Sequence, residues 1–279
     1  MRCAIFTRVC ALLVLFSLAF VGPVAFAGER LPIVFAHGIG VPAILYERVV
    51  PLKKVFEKLG FELFVAHTPI TGTLDERSEV LRDEITRLVP SGKFHLVGHS
   101  MGGLDARLVV SRFPEIAARC ASVTTLSTPH HGSAVADFVI DHLDELGARS
   151  ALAHRALELF GGQLQAVRDL TTCEIESRFN TRAGDVPGIA YFSMGFYIPE
   201  PIERHSLVPL LWAVHHILED VGQPHNDGFV SVESAAWGES LGVFPADHWS
   251  ETAPIPFIGG KTYREISQRL VSNLVERFE

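Results

Sequence analysis

Gly98-His99-Ser100-Met101-Gly102-Gly103 is the stretch whose residue types and spacing point most directly to chemistry. The run before it, Phe94 to Gly98, reads as a buried strand. The run after it, Met101 to Phe113, reads as a helix closed by Pro114. A G-x-S-x-G serine between strand and helix sits on a sharp, strained turn, and the flanking glycines leave room for that turn. The turn lifts the serine Oγ out at the carboxyl end of a sheet. It also sets a helix N-terminus beneath the reacting centre, where the dipole favours developing negative charge. Ser100 therefore reads as a nucleophile.

A serine hydroxyl needs a base, and the base needs an orienting carboxylate. After a turn of this kind the chain order is Ser, then Asp or Glu, then His. His99 precedes the serine and is expected to pack under the turn. His130 and His131 follow too soon to leave room for an acid-bearing strand. His205, His215, His216 and His225 fall in or just after a later helical stretch. His248 follows the short apolar run Leu241 to Phe244 and precedes the terminal helix, which is where a base belongs; His225 is its rival. Asp220, Asp227 and Asp247 are acid candidates, with Glu200, Glu203, Glu219, Glu233 and Glu239. Asp227, in Asn226-Asp227-Gly228, is held by a glycine turn and can reach toward an imidazole; the same letters also describe an ordinary surface turn. Two backbone N–H groups are needed for an oxyanion. Met101 follows the nucleophile, and Ile39 lies in His37-Gly38-Ile39-Gly40 after the first strand, so these two are the expected donors. His37 is expected to make structural hydrogen bonds.

Around these residues, short β-rich runs alternate with helical patterns, which argues for a parallel sheet with flanking helices. Leu31–Ala36, Phe61–Ala66, Phe94–Gly98, Ala121–Leu126 and Ile189–Ser193 read as strands. Tyr46–Leu59 reads as a helix stopped by Gly60. Thr73 and Glu76 form a capping box that opens a helix with apolar or small residues at 74, 78, 81, 85 and 88. Thr262 and Glu265 read as a second box, opening a terminal helix with apolar positions at 266, 270, 274 and 278. Two stretches break the alternation: 134–172, largely helical, and 198–222, with Leu207-Val208-Pro209-Leu210-Leu211-Trp212. Both follow strands, where an open α/β sheet places its ligand-facing loops. They read as cap segments over a cleft, or else as added core helices. Phe138, Leu143, Leu146 and Trp212 are the cap residues expected to meet a substrate.

Composition bounds these readings. The chain has 279 residues, 48% of them hydrophobic, which excludes a disordered segment unable to bury apolar surface. The net charge of −8 argues against a nucleic-acid binder, which needs a basic face. Arg2 and Arg8, the apolar run Val9–Val21 and Ala25-Phe26-Ala27 have the form of an export signal cut near Ala27, too short for a comfortable membrane span. The mature chain is then 28–279, one domain, exported to the periplasm or beyond. Cys3 and Cys10 leave with the signal. Cys120 and Cys173 remain, among apolar neighbours, and two buried thiols are at least as consistent as one bridge. No Cys/His cluster has zinc spacing, and a helix would point adjacent His215 and His216 in different directions, so no metal is expected there.

Ile33-Val34-Phe35-Ala36-His37-Gly38-Ile39-Gly40, LVGHSMGG at 96–103, LSTPHHGSAVADF at 126–138, LTTCEIESRFN at 170–180, NDGFVSVESAAWG at 226–238 and PADHW at 245–249 occur in that order. Together they resemble the secreted bacterial triacylglycerol lipases of the α/β-hydrolase superfamily, from about Leu31 to the C-terminus. The resemblance implies an α/β-hydrolase fold and hydrolysis of acylglycerol esters; a short-chain carboxylesterase and a non-catalytic lipid-binding relative are the alternatives. It implies a Ser100–Asp227–His248 triad, oxyanion donors at Ile39 and Met101, and a mobile lid over much of 134–172. Many relatives hold a structural calcium through an Asp two residues after the histidine. Here that position is Ser250, and the further Gln is replaced by Pro254, so no calcium and no other cofactor are expected. The disulfide cysteine of some relatives is missing from Val230 to Ser234, which speaks against a dedicated folding partner. The expected partner is a lipid or small ester, with no nucleic acid and no stable membrane span.

Overall fold

The computed structural model describes residues 30–48, 52–201, 209–252 and 260–279. The expected signal at 1–27, Pro254 and part of the second cap stretch lie outside them.

Six strands form one parallel sheet in the order β2-β1-β3-β4-β5-β6. They are β1 (Ile33–Ala36), β2 (Leu63–Val65), β3 (Phe94–His99), β4 (Cys120–Leu126), β5 (Ala190–Tyr197) and β6 (Glu239–Pro245). Between β1 and β2 lie α1 (Ala43–Arg48) and α2 (Leu52–Lys58), where one helix was expected. α3 (Leu74–Leu88) precedes β3, and α4 (Met101–Arg112) and α5 (Pro114–Ala117) precede β4. Pairing places β2 on one side of β1 and β3 on the other, so the chain reverses its direction of travel at β1. Such a switch point opens a crevice at the carboxyl ends of the two diverging strands. The loop after β1 carries Ile39, and the turn after β3 carries Ser100.

Strand periodicity assigns the two faces of the sheet. Ile33 and Phe35 face a cluster with Phe56, Leu63 and Leu270, while Val34 and Ala36 face Leu81, Ile85, Ala106 and Val109. The capping box at Thr73 forms as expected: its hydroxyl accepts from Glu76 N–H, and Glu76 accepts from Thr73 N–H. The second expected box does not. The terminal helix begins at Gly260, so Thr262 lies inside it rather than at its cap, although Ile266, Leu270 and Leu274 are buried as the spacing requires.

The two cap stretches are helical insertions after β4 and β5. The first holds α6 (Ala134–His142), α7 (Ala148–Leu159), α8 (Leu164–Asp169), α9 (Thr172–Glu174), a π-helical turn (Ile175–Phe179) and α10 (Asn180–Arg182). The second holds α11 (Pro209–Asp220), before α12 (Gly260–Phe278) closes the chain. Val135, Val139, Phe160, Leu211 and Phe229 form an apolar cluster with Met101 and Leu104 of α4, so the insertions rest on the nucleophile helix. Arg107 of α4 bolts the first insertion down. It is buried, its guanidinium lies 3.5 Å from the Trp237 ring centroid, and it donates to Asn180 Oδ1 and the Ala183 carbonyl. Cys120 and Cys173 are both free thiols. Cys120 is buried as expected and Cys173 is exposed, since α9 turns it outward.

Candidate active site

Ser100 adopts φ 54° and ψ −131°, the left-handed backbone that a non-glycine residue takes only when its surroundings force it. The surroundings are the glycines. A Cβ on Gly98 would lie 2.5 Å from Gly103 Cα, and one on Gly102 would lie 2.2 Å from the Ala36 carbonyl oxygen. Any larger residue would push the turn away from β1. Met101 is the first residue of α4, so its N–H has no partner within the helix and faces the serine end.

His248 meets Ser100 across 148 positions of chain and Asp227 across 21. His248 Nδ1 lies 2.7 Å from Asp227 Oδ2, and Nε2 lies 3.0 Å from Ser100 Oγ. A carboxylate only accepts, so Nδ1 carries the proton and Nε2 presents its lone pair to the serine hydroxyl. Asp227 is buried rather than on a surface turn. Its Oδ1 accepts from the N–H groups of Phe229 and Val230, both at 2.8 Å, and its Oδ2 also accepts from Ser127. Burial opposes its charge. The His248 charge, with hydrogen bonds from His248, Glu251 and Ser127, outweighs burial and holds the carboxyl at about 2. His225 is exposed and does not join this chain of contacts. Asp247, the other acid candidate beside His248, accepts instead from the N–H groups of Trp249 and Ser250.

Three groups here were missed by sequence reasoning. Glu251 is buried against Asp227, with one oxygen 3.2 Å from His99 Nε2 and the other 4.0 Å from His248 Nδ1. Burial, then the negative charge of Asp227, raises its carboxyl well above the ordinary range, which favours the neutral acid beside Asp227. Ser127, at φ 46°, is the second strained turn residue and a further donor to Asp227. Arg77 is buried in α3, where apolar spacing alone gave no place to a cation. It donates to the His37 carbonyl at 2.8 Å and to Pro69, and pairs with Asp105 of α4 at 2.7 Å. Burial pushes the Asp105 carboxyl up to about 6, while Arg77 works in the opposite direction. One guanidinium thus ties the loop before Ile39 to the helix behind Ser100. His37 sits beside it, its Nδ1 donating to the Gly38 carbonyl and its Nε2 accepting from Thr68, and burial lowers it to about 4.

A cleft opens on Ser100 and His248, walled by Gly38, Ile39, Val41, Tyr46, Phe160, Phe229 and Trp249. None of the four expected substrate-binding residues lines it. Phe138 stacks on His142 at 4.4 Å, Leu143 packs into the cap cluster, Trp212 is half-buried on α11, and Leu146 is 99% exposed. Amphipathic spacing showed which helix faces are apolar, but not which neighbour each face would meet. Ser250, where the resemblance placed the expected calcium-ligand position, is a buried hydroxyl.

Residues 57–158 match the family described as alpha/beta hydrolase fold. The chain has the α/β-hydrolase fold. Its relatives include Triacylglycerol lipase 2 of Saccharomyces cerevisiae, 29% identical over 200 residues that cover 69% of this chain and 57% of the yeast protein. They also include a triacylglycerol lipase of Burkholderia plantarii, 30% identical over 53% of this chain and 47% of that protein. The chain spans about half the length of these relatives. The mature form of a Bacillus licheniformis lipase has the same fold, with a TM-score of 0.70 at 20% identity over 87% of this chain and 92% of that one. Among the described residues no helix is long and apolar enough to cross a membrane.

Proposed function

We propose that this chain is an exported serine ester hydrolase, a lipase that cleaves acylglycerol esters through an acyl-enzyme. The observation that carries the reading is the unbroken hydrogen-bond path from Asp227 through His248 to Ser100, at 2.7 and 3.0 Å. His248 Nε2 takes the Ser100 proton as Oγ attacks the ester carbonyl. Asp227 orients the ring and stabilises the imidazolium. The N–H groups of Ile39 and Met101 receive the oxyanion. Imidazolium then protonates the leaving alcohol, and water repeats the sequence to release the acid. No cofactor enters these steps. The lipase homologues support an ester or lipid substrate, and the leader at 1–27 supports export with cleavage near Ala27. A short-chain preference is favoured by one observation, the modest cleft closed by Phe160, Phe229 and Trp249.

Ser100→Ala should bring ester hydrolysis to background and abolish labelling by a fluorophosphonate, while Asp227→Ala should lose about 10⁴-fold. Labelling that persists in Ser100→Ala would remove the reading. Rates on dissolved and emulsified esters of increasing acyl length separate lipase from esterase.

A further inference from the structure

On α11, away from the serine, a histidine faces two carboxylates across gaps too long for hydrogen bonds. His215 has only 1% of its side chain exposed. Asn226 fixes its tautomer. Asn226 Nδ2 donates to the carbonyls of His215 and Gln223, at 3.4 and 2.9 Å, so its Oδ1 is an acceptor. Oδ1 accepts from Gly228 N–H at 2.9 Å and lies 2.6 Å from His215 Nδ1, which therefore carries the hydrogen. The other nitrogen, Nε2, is aimed at Glu200 Oε1 at 3.5 Å and Glu219 Oε1 at 3.6 Å, and makes no hydrogen bond among the described residues. The three ligand atoms lie within 4.8 Å of one another.

The separations decide between two occupants of that gap. An imidazolium on a carboxylate closes to about 2.7–2.9 Å. Nitrogen and oxygen ligands at about 2.0–2.2 Å from a tetrahedral zinc stand about 3.3–3.5 Å apart. The two observed separations, 3.5 and 3.6 Å, are near those of atoms around such an ion and longer than a direct imidazolium–carboxylate bond. We propose that Glu200, His215 and Glu219 hold a divalent first-row transition metal of the zinc class, with its remaining positions open to water. His215 and Glu219 are four apart, so α11 presents them on one face, and Glu200 arrives from the loop after β5. Glu219 Oε2 is held by His216 Nδ1 at 2.5 Å, which leaves Oε1 for the ion. A nitrogen ligand disfavours calcium, which takes oxygen. Asn226 acts as the outer partner that orients the ring, and it immediately precedes Asp227. Sequence spacing gave no site because His215 and His216 diverge; the further ligands come from one turn on and from another element.

The test is calorimetric titration of the full chain, stripped with chelator, with Zn²⁺. One equivalent should bind and raise the melting temperature. Glu219→Gln and Glu200→Gln should each weaken binding by about 100-fold or more, with the far-ultraviolet spectrum unchanged. These variants are chosen over His215 because both carboxylates are partly solvated, at 35% and 61% exposure. Excess Ca²⁺ should not compete. Absence of binding, equal binding by the wild type and both variants, or displacement by Ca²⁺ would each overturn the site.

Discussion

Around Ser100 scarcely a side chain can change size without moving backbone, whereas the tip of the cap between α6 and α7 touches almost nothing. The nucleophile turn is pinned by glycines in contact with β1 and by Arg77 spanning α3, α4 and the loop after β1. The cap tip carries Leu146 fully in solvent, flanked by Gly147 with open space around it. The contrast teaches a division of labour. Positioning a nucleophile to within tenths of an ångström needs close-packed backbone, and meeting an ester of variable shape does not.

The sharpest way to break the comparison is to add one methyl group at the turn and one at the loose end of the first insertion. Gly102→Ala puts Cβ 2.2 Å from a backbone oxygen that has nowhere to go, so β1 and α4 must part. Overpacking of this kind costs about 3 kcal/mol or more, and activity should fall further than stability because the oxyanion loop moves with β1. Gly184, after α10, has open space within 4 Å of where the methyl would stand, and no positive φ. Gly184→Ala should leave activity unchanged and raise stability by about 0.4–1 kcal/mol, through the unfolded chain. Urea unfolding with parallel rates measures both. Equal effects would show that the turn is no tighter than the insertion.

A second prediction concerns the proton on Glu251. The fold raises the pH at which Glu251 gives up its proton, while the unfolded chain, at an ordinary glutamate value of 4.5, has lost it at neutral pH. A folded state that binds more protons loses stability as pH rises, by about 1.4 kcal/mol per unit for one group. His37, lowered to about 4, and His99, lowered to about 3, have the opposite slope but are complete above their unfolded value of 6.5. Asp105, at about 6, is finished by then as well. Above about pH 6.5 the Glu251 slope therefore stands out, until the pH passes its raised folded value. Glu251→Gln keeps a donor to Asp227 and removes the ionisation, so it should flatten stability across that interval and raise it at the alkaline end. A slope identical to wild type would mean that Glu251 is ionised in the fold.

What was legible in the sequence follows the same division. The turn at Ser100, the Asp227 loop and the Thr73 capping box are local patterns, in which neighbours in sequence dictate backbone geometry, and the structure brings Ser100, Asp227 and His248 together. Thr262 has the letters of a cap, but the helix runs from Gly260 and encloses it. Arg77 and Glu251 escaped because a buried charge is readable only when its partner is known, and their partners lie 28 and 24 residues away in the chain. Phe138, Leu143, Leu146 and Trp212 were expected at the cleft because they are apolar and in the cap. Phe160, Phe229 and Trp249 are there instead, since the cleft wall is a product of how α7 and the Asp227 loop pack over Ser100.

The smallest effect should come from Leu146, and it asks most directly whether the cap tip meets lipid. Phe138 and Leu143 are poor probes, because both pack within the cap and their loss would disturb it. Leu146 is 99% exposed, so Leu146→Ser should change stability by no more than about 0.5 kcal/mol. A leucine moved from water into oil gains about 1.5–3 kcal/mol. If the tip enters the lipid phase when the enzyme works at an interface, the serine variant forgoes that gain, and one factor of ten corresponds to about 1.4 kcal/mol. Hydrolysis of emulsified long-chain esters should then fall about tenfold, with hydrolysis of dissolved butyrate esters unchanged, since Leu146 does not line the cleft. Equal rates for variant and wild type on both substrates would leave the tip facing water throughout, and the cap would be a fixed roof over an esterase cleft.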